Sequence, residues 1–172
     1  MPLAEVAPER YEWQLKQKVD AFCALLRAVA KSGHPTPEVF TSSASHYRLR
    51  AEFNIWHQGD RSFYAMTDPD TKKPVFIDQF PVAAKAINRV MTPLLEAINR
   101  HSLLREKLFQ VTFLTTLTED TLVTLIYHRP LDEVWQAQAR FLAKDLNVHL
   151  IGRSRKQKMV LDRDFVTERF TV

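Results

Sequence analysis

Glycine is nearly missing from this sequence: Gly33, Gly59 and Gly152 are the only ones among 172 residues, and no two stand close together. A phosphate-cradling loop or nucleotide-cofactor fingerprint needs clustered glycines, because the backbone must approach the ligand and take positive φ. Neither device is available here. Cysteine is scarcer still. Cys23 cannot close an internal disulfide, and it sits inside an amphipathic pattern, the setting of an ordinary core or near-core thiol rather than of a nucleophile. No apolar run approaches the roughly 18 residues that a membrane span requires. The histidines at 34, 46, 57, 101, 128 and 149 share no spacing, and there is no HExxH, no CxxC and no dense acid cluster. A metal site built by the protein is therefore not expected. The opening "MPLAEVAPERYEW" is acidic and polar, without the basic-then-apolar layout of a secretory signal, so the expected location is the cytoplasm.

What remains is the composition of an ordinary globular protein, 45% hydrophobic and 26% charged, with a net charge of +4. The charge is uneven: between Asn147 and Leu161 there are four basic residues, Arg153, Arg155, Lys156 and Lys158, and no acidic one.

Apolar residues at Tyr11, Leu15, Val19, Phe22, Leu26 and Val29 predict an amphipathic helix over Tyr11–Lys31, ended by a loop from Lys31 to Pro37. Three strands follow, Ser45–His57, Arg61–Thr67 and Pro74–Phe80, joined by the turns "HQGD" and "DPDTKKP". Short polar turns imply an antiparallel meander. Pro81 suits the entry to a second helix, whose apolar stripe is Ala84, Ile87, Met91, Leu94, Leu95 and Ile98, reaching about His101, with a further turn at Leu103–Lys107. Strands Leu108–Leu117 and Thr121–His128 form a hairpin. Asp132 caps a third helix, to about Leu146, that buries Val134, Trp135, Phe141 and Leu142. The chain then alternates at Val148–Gly152 and Met159–Asp162, with the basic turn between. Helices and strands mix without regular βαβ order, so the fold class is α+β: one domain, a largely antiparallel mixed sheet, and about three amphipathic helices packed on it.

Self-sufficient catalysis is hard to build from these residues. Asp68 and Asp70 lie in a turn, where aspartates serve the backbone; Ser42, Ser43 and Ser45 lack nucleophile-elbow glycines; Glu52 beside Arg50 suits a cross-strand ion pair. Binding candidates are better. In "SHYRLRAEF" (45–53), Tyr47, Leu49, Ala51 and Phe53 alternate with His46, Arg48, Arg50 and Glu52, leaving a polar strip for water or for phosphates. "GRSRKQK" (152–158) offers flexible cations on a turn, where the bland role is a solvated loop. Phe109 could stack on an unpaired base or join Phe113 in the core, and His128 could be accessible at a strand end or merely cap it.

Four strings, "SHYRLRAEFNIWHQGD" (45–60), "KLFQVTFLTTL" (107–117), "LIYHRPLDEVW" (125–135) and "LNVHLIGRSRKQKMVLDRDFV" (146–166), together resemble the N-terminal half of bacterial tRNA (uracil-5-)-methyltransferases. The likeness is collinear from about Tyr11 to the last residues. It implies an α+β portion that grips the tRNA T-arm, and a Rossmann-like domain elsewhere that binds S-adenosylmethionine and supplies the cysteine adding to C6 of the flipped uracil. None of that second domain's motifs occurs before Val172, and Cys23 is in the wrong context to replace its cysteine. The resemblance therefore implies RNA binding without catalysis by this chain alone, no cofactor held by it, and no membrane partner. It carries RNA contact onto Arg48, Arg50, Asn54 (arginine in some relatives), Phe109, Gln110, His128, Arg153, Arg155 and Lys156. Two other readings stay open: a subunit completed by a separately encoded methyltransferase domain, and a protein-interaction module, for which an apolar final strand would speak. An isolated half is also expected to expose a face through which copies can pair artefactually.

Overall fold

The computed structural model describes residues 6–30, 33 and 35–170. The expected loop Lys31–Pro37 falls partly outside these, as does His34. The central element is β1 (Arg50–Gln58), in which Ala51, Phe53 and Ile55 are buried while Arg50, Glu52, Asn54 and Trp56 are exposed. β2 (Arg61–Thr67), β3 (Pro74–Phe76), β4 (Leu108–Thr115), β5 (Thr121–Tyr127), β6 (His149–Ser154) and β7 (Gln157–Val160) complete a sheet of seven strands in the order β3-β2-β1-β4-β5-β6-β7. Every neighbouring pair is antiparallel except β5 and β6, which run parallel. A parallel pair needs a crossover, and α4 (Glu133–Asp145) provides it. The fold is the expected α+β single domain with a mixed sheet.

One face of the sheet makes the core. Phe53, Tyr64, Phe113, Val123, Leu125, Tyr127 and Leu150 meet Ile87, Met91, Leu94 and Ile98 of α2 (Lys85–Arg100), Leu104 of the single-turn α3 (Ser102–Arg105), and Trp135, Ala139 and Leu142 of α4. Asp132 caps α4 as expected, its Oδ1 accepting from the Trp135 N–H at 2.8 Å. Two residues expected inside are not. Val134 and Phe141 lie on the helix flank roughly 100° or more from the Trp135–Ala139–Leu142 stripe, and both are exposed.

Two strands are shorter than the alternation suggests. β3 stops at Phe76, and the stretch from Ser45 joins the sheet only at Arg50. His46 takes a left-handed conformation (φ 57°) and its Nδ1 lies 2.8 Å from the Ala83 carbonyl. Arg48 bonds through its backbone to Val82 and Ala84 rather than to a sheet neighbour. The polar strip therefore breaks: Tyr47 is exposed rather than an anchor, and His46 is tucked against the chain.

Buried Asn88 fixes the segment that displaces the strand. Its Oδ1 accepts from the Phe80 N–H at 2.7 Å, and its Nδ2 donates to the carbonyls of Phe80 (3.0 Å), Ala83 (2.9 Å) and Ala84 (3.2 Å). Asn88→Ala should cost about 2 kcal/mol in urea unfolding, because the buried Phe80 N–H loses its acceptor and the carbonyls of Phe80, Ala83 and Ala84 each lose one of their donors. A loss under a few tenths of that value would mean that water replaces the side chain.

Candidate nucleic-acid interface

The face of the sheet away from the helices carries the site residues, and a β-bulge decides which of them look outward. Leu108 pairs with Tyr127 and Gln110 with Ile126, so Phe109 is one extra residue in β4. Lys107, just before it, has φ 55°. Leu108 and Val111 are both buried, which leaves Phe109 and Gln110 directed together to the open side. Phe109 is 43% exposed. Its ring stacks on His128, with centroids 4.3 Å apart and planes 19° from parallel. The His128 N–H donates to the Lys107 carbonyl at 2.8 Å, which holds the histidine beside the bulge.

This pair opens onto a cleft of about 780 Å³ whose walls include Ile126, Pro130, Arg153 and Arg155. Register explains the grouping. Asn54 faces Gln110, Gln110 faces Ile126, Ile126 lies beside Arg153, and Arg153 faces Lys158, one transverse row across five strands. Arg153 thus belongs to strand β6, not to the basic turn, which is Arg155–Lys156. Lys158 is neutralised by Asp164 at 2.6 Å, and that contact holds the Asp164 carboxyl below the usual aspartate range. Arg153, Arg155 and Lys156 have no side-chain partner among the described residues.

The other predicted cations stand apart. Arg50 faces Leu114, four residues along β1 from Asn54, or roughly 13 Å at the rise of a strand. Its guanidinium is paired with Glu52, whose other oxygen accepts from Gln110 Nε2 at 3.4 Å. Arg50 and Glu52 do form an ion pair, but within β1 rather than across strands as expected, and it occupies one of the two strand arginines. Arg48 is exposed beyond the strand end. The structure therefore brings Asn54, Phe109, Gln110, His128, Arg153 and Arg155 together, places Lys156 on the adjoining hairpin tip, and leaves Arg48 and Arg50 at the far end.

Two features escaped the sequence reading. Arg129 reaches the carbonyls of Glu106 (3.0 Å) and Leu103 (2.6 Å) and lies over the Tyr127 ring, so it braces the cleft wall. Burial pushes the Tyr127 hydroxyl up, and it donates to the Leu104 carbonyl at 2.8 Å. Trp56 continues the open-face alternation past Asn54, opposite Phe63, which stacks on Phe76 at 5.1 Å. Extending the "RAEFNIW" alternation by one more step would have found it.

The far end of this face is closed by the C-terminal segment. Asp120 accepts from Arg163 and from the Thr167 N–H at 2.7 Å. Burial raises its carboxyl pKa, but the Thr167 N–H, Arg163 and His149 outweigh that and hold it below the ordinary aspartate value. β7 runs from two exposed polar residues, Gln157 and Lys158, to two half-buried apolar ones, Met159 and Val160. Among the described residues no group of three metal-ligating side chains is gathered, and no helix is long and apolar enough to cross a membrane.

Residues 10–172 match the family model described as tRNA (Uracil-5-)-methyltransferase. A tRNA/tmRNA (uracil-C(5))-methyltransferase of Aromatoleum aromaticum is 51% identical over 173 residues, covering 100% of this chain and 46% of the relative. Relatives of the same description from Chromohalobacter salexigens and Klebsiella pneumoniae (strain 342) are 50% and 45% identical, with 47% and 45% of their lengths covered. The chain spans about half the length of the curated relatives it matches.

Proposed function

Since the chain belongs to the tRNA (uracil-5-)-methyltransferase family, as its N-terminal half, we propose that the open face of its sheet grips the T-arm of tRNA. In this reading Phe109 and His128 receive unstacked bases of the loop, Gln110 and Asn54 supply neutral hydrogen bonds beside them, and Arg153, Arg155 and Lys156 follow the phosphates. Arg48 and Arg50 extend the contact at the other end of β1. The supporting observation is the outward Phe109–His128 stack above a cleft flanked by cations without protein partners. A rigid aromatic step beside unpaired guanidinium groups suits single-stranded RNA, in which base stacking and phosphate contact are both needed.

The methyl transfer to uracil C5, and the S-adenosylmethionine that would supply it, belong in this reading to residues outside the chain. The residues present do not fit that cofactor. Gly152, the one glycine within a strand, lies under Trp135, Gly59 is in a hairpin turn and Gly33 stands by itself outside helix and strand, so no two glycines combine into a backbone approach among the described residues.

The test is binding of a T-arm hairpin and of a scrambled hairpin across salt concentrations. Tighter binding of the T-arm at every salt supports the reading; equal affinity for both reduces it to nonspecific electrostatics. Lys156→Ala should weaken both hairpins alike and reduce the logarithmic salt slope by about 1, as loss of one phosphate contact requires. An unchanged slope would return Lys156 to the solvated turn.

A further inference from the structure

α1 (Tyr11–Val29) is an amphipathic helix with none of its residues buried. No side chain of α1 joins the core. A lone helix of this length is marginal in water, and its apolar stripe is ordinarily what holds it to a protein. Its first half does touch the body: the Ser42 N–H donates to the Tyr11 hydroxyl at 2.9 Å, and Leu15 shares a hollow with Phe40, Tyr47 and Val82. Among the described residues its second half has no such neighbour. Phe22, Leu25 and Val29 are 51%, 67% and 81% exposed, and their spacing of three and four places them on one side. Phe40, 82% exposed, lines the same hollow as the first half of the helix.

We infer that the Phe22–Leu25–Val29 stripe of α1 is the seat for the other half of the family protein. Charge excludes RNA as the occupant: from Ala21 to Val29 the one charged residue is Arg27, whose Nε donates to the Cys23 carbonyl, whereas an RNA surface needs several cations. Length supplies the partner. Relatives matched over the whole of this chain are about twice as long, so a second portion of similar size must be held against the first. Size decides against a second copy. Three large side chains fall well short of the ~800 Å² per partner typical of a free-standing interface. A covalently tethered half needs less area, because its effective concentration is in the millimolar range. The inference rests on family membership and not on the RNA reading.

Hydrogen exchange tests it. In the 172-residue chain, the amides of Phe22–Val29 should exchange fast. In a fusion of this chain to the part of the Aromatoleum aromaticum relative outside the match, the same amides should slow roughly 10-fold or more. Leu25→Asp should abolish that slowing in the fusion while leaving T-arm affinity of the chain alone unchanged. Should the fusion not fold, the matching helix of the intact Aromatoleum aromaticum relative gives the same reading. Exchange equally fast in the fusion or the intact relative overturns the inference. So does slow exchange in the chain alone that quickens on dilution, since the occupant would then be a second copy.

Discussion

Gly152→Ala should lower stability by about 3 kcal/mol or more, the upper end of the overpacking range. The backbone of Gly152 has no unusual conformation; the demand for glycine is purely one of space. A Cβ at this position would lie 2.2 Å from Trp135 Cη2 and 2.6 Å from both Trp135 Cζ3 and Leu131 Cδ1. Neither neighbour can yield cheaply. Trp135 is fully buried and packed edge-on against Tyr127, with ring centroids 5.5 Å apart. The indole is rigid, so clearing the methyl requires α4 to rise from the sheet. The urea midpoint should fall with the slope preserved. Gly59 gives the contrast: nothing lies within 4 Å of a Cβ there, and its φ of +60° leaves only the left-handed penalty of about 1 kcal/mol for alanine. Equal losses at the two glycines would contradict the packing argument.

Phe109→Ala should weaken T-arm binding by about 1–3 kcal/mol, the range found when a base loses its aromatic platform. The salt slope should stay the same, because no charge is removed. The fold should tolerate the change, since the ring is 43% exposed and the bulge is fixed by the pairing of Leu108 and Gln110. Phe109→Tyr, which keeps the platform, should bind nearly as well as the parent chain. His128 has a second role as the rest against which the ring lies, so His128→Ala should lose part of the Phe109 contribution as well, and the two changes should be less than additive. Normal folding with unchanged RNA affinity in Phe109→Ala would end the assignment.

The order of elements was legible because their signals are local. The stripe Ile87–Met91–Leu94–Ile98, the Asp132 cap and the Phe113 core position could all be read from spacing and residue type. The failures share one cause: tertiary partners that spacing does not reveal. "SHYRLRAEF" alternates perfectly, yet His46 bonds across 37 residues to Ala83 and draws the chain away from the sheet before Arg50. Val134 and Phe141 are apolar and helical but lie on the flank of α4. The pattern of α1 gives a correct helix and says nothing about what covers it; Cys23, expected at or near the core, is half-buried on a helix without buried residues. For the candidate site, family resemblance supplied the residues and the fold supplied their grouping. Six came together, while Arg50 proved to be paired and Arg48 distant from the Phe109 cleft.

The bulge at Phe109 sets a rule for length variation along this chain. Side chains alternate strictly on either side of it, so the spare residue acts as a phase marker between Leu108 and Val111. Deleting that spare residue would leave Leu108, Val111 and Phe113 on the buried face in unbroken alternation, but it would remove the outward ring that stacks on His128. The loop at Asp68–Lys73 pairs with nothing in the core and can absorb insertions freely. Among functional members of the family, gaps should therefore collect in that loop, and the interval from Leu108 to Phe113 should keep its count even where its residues change.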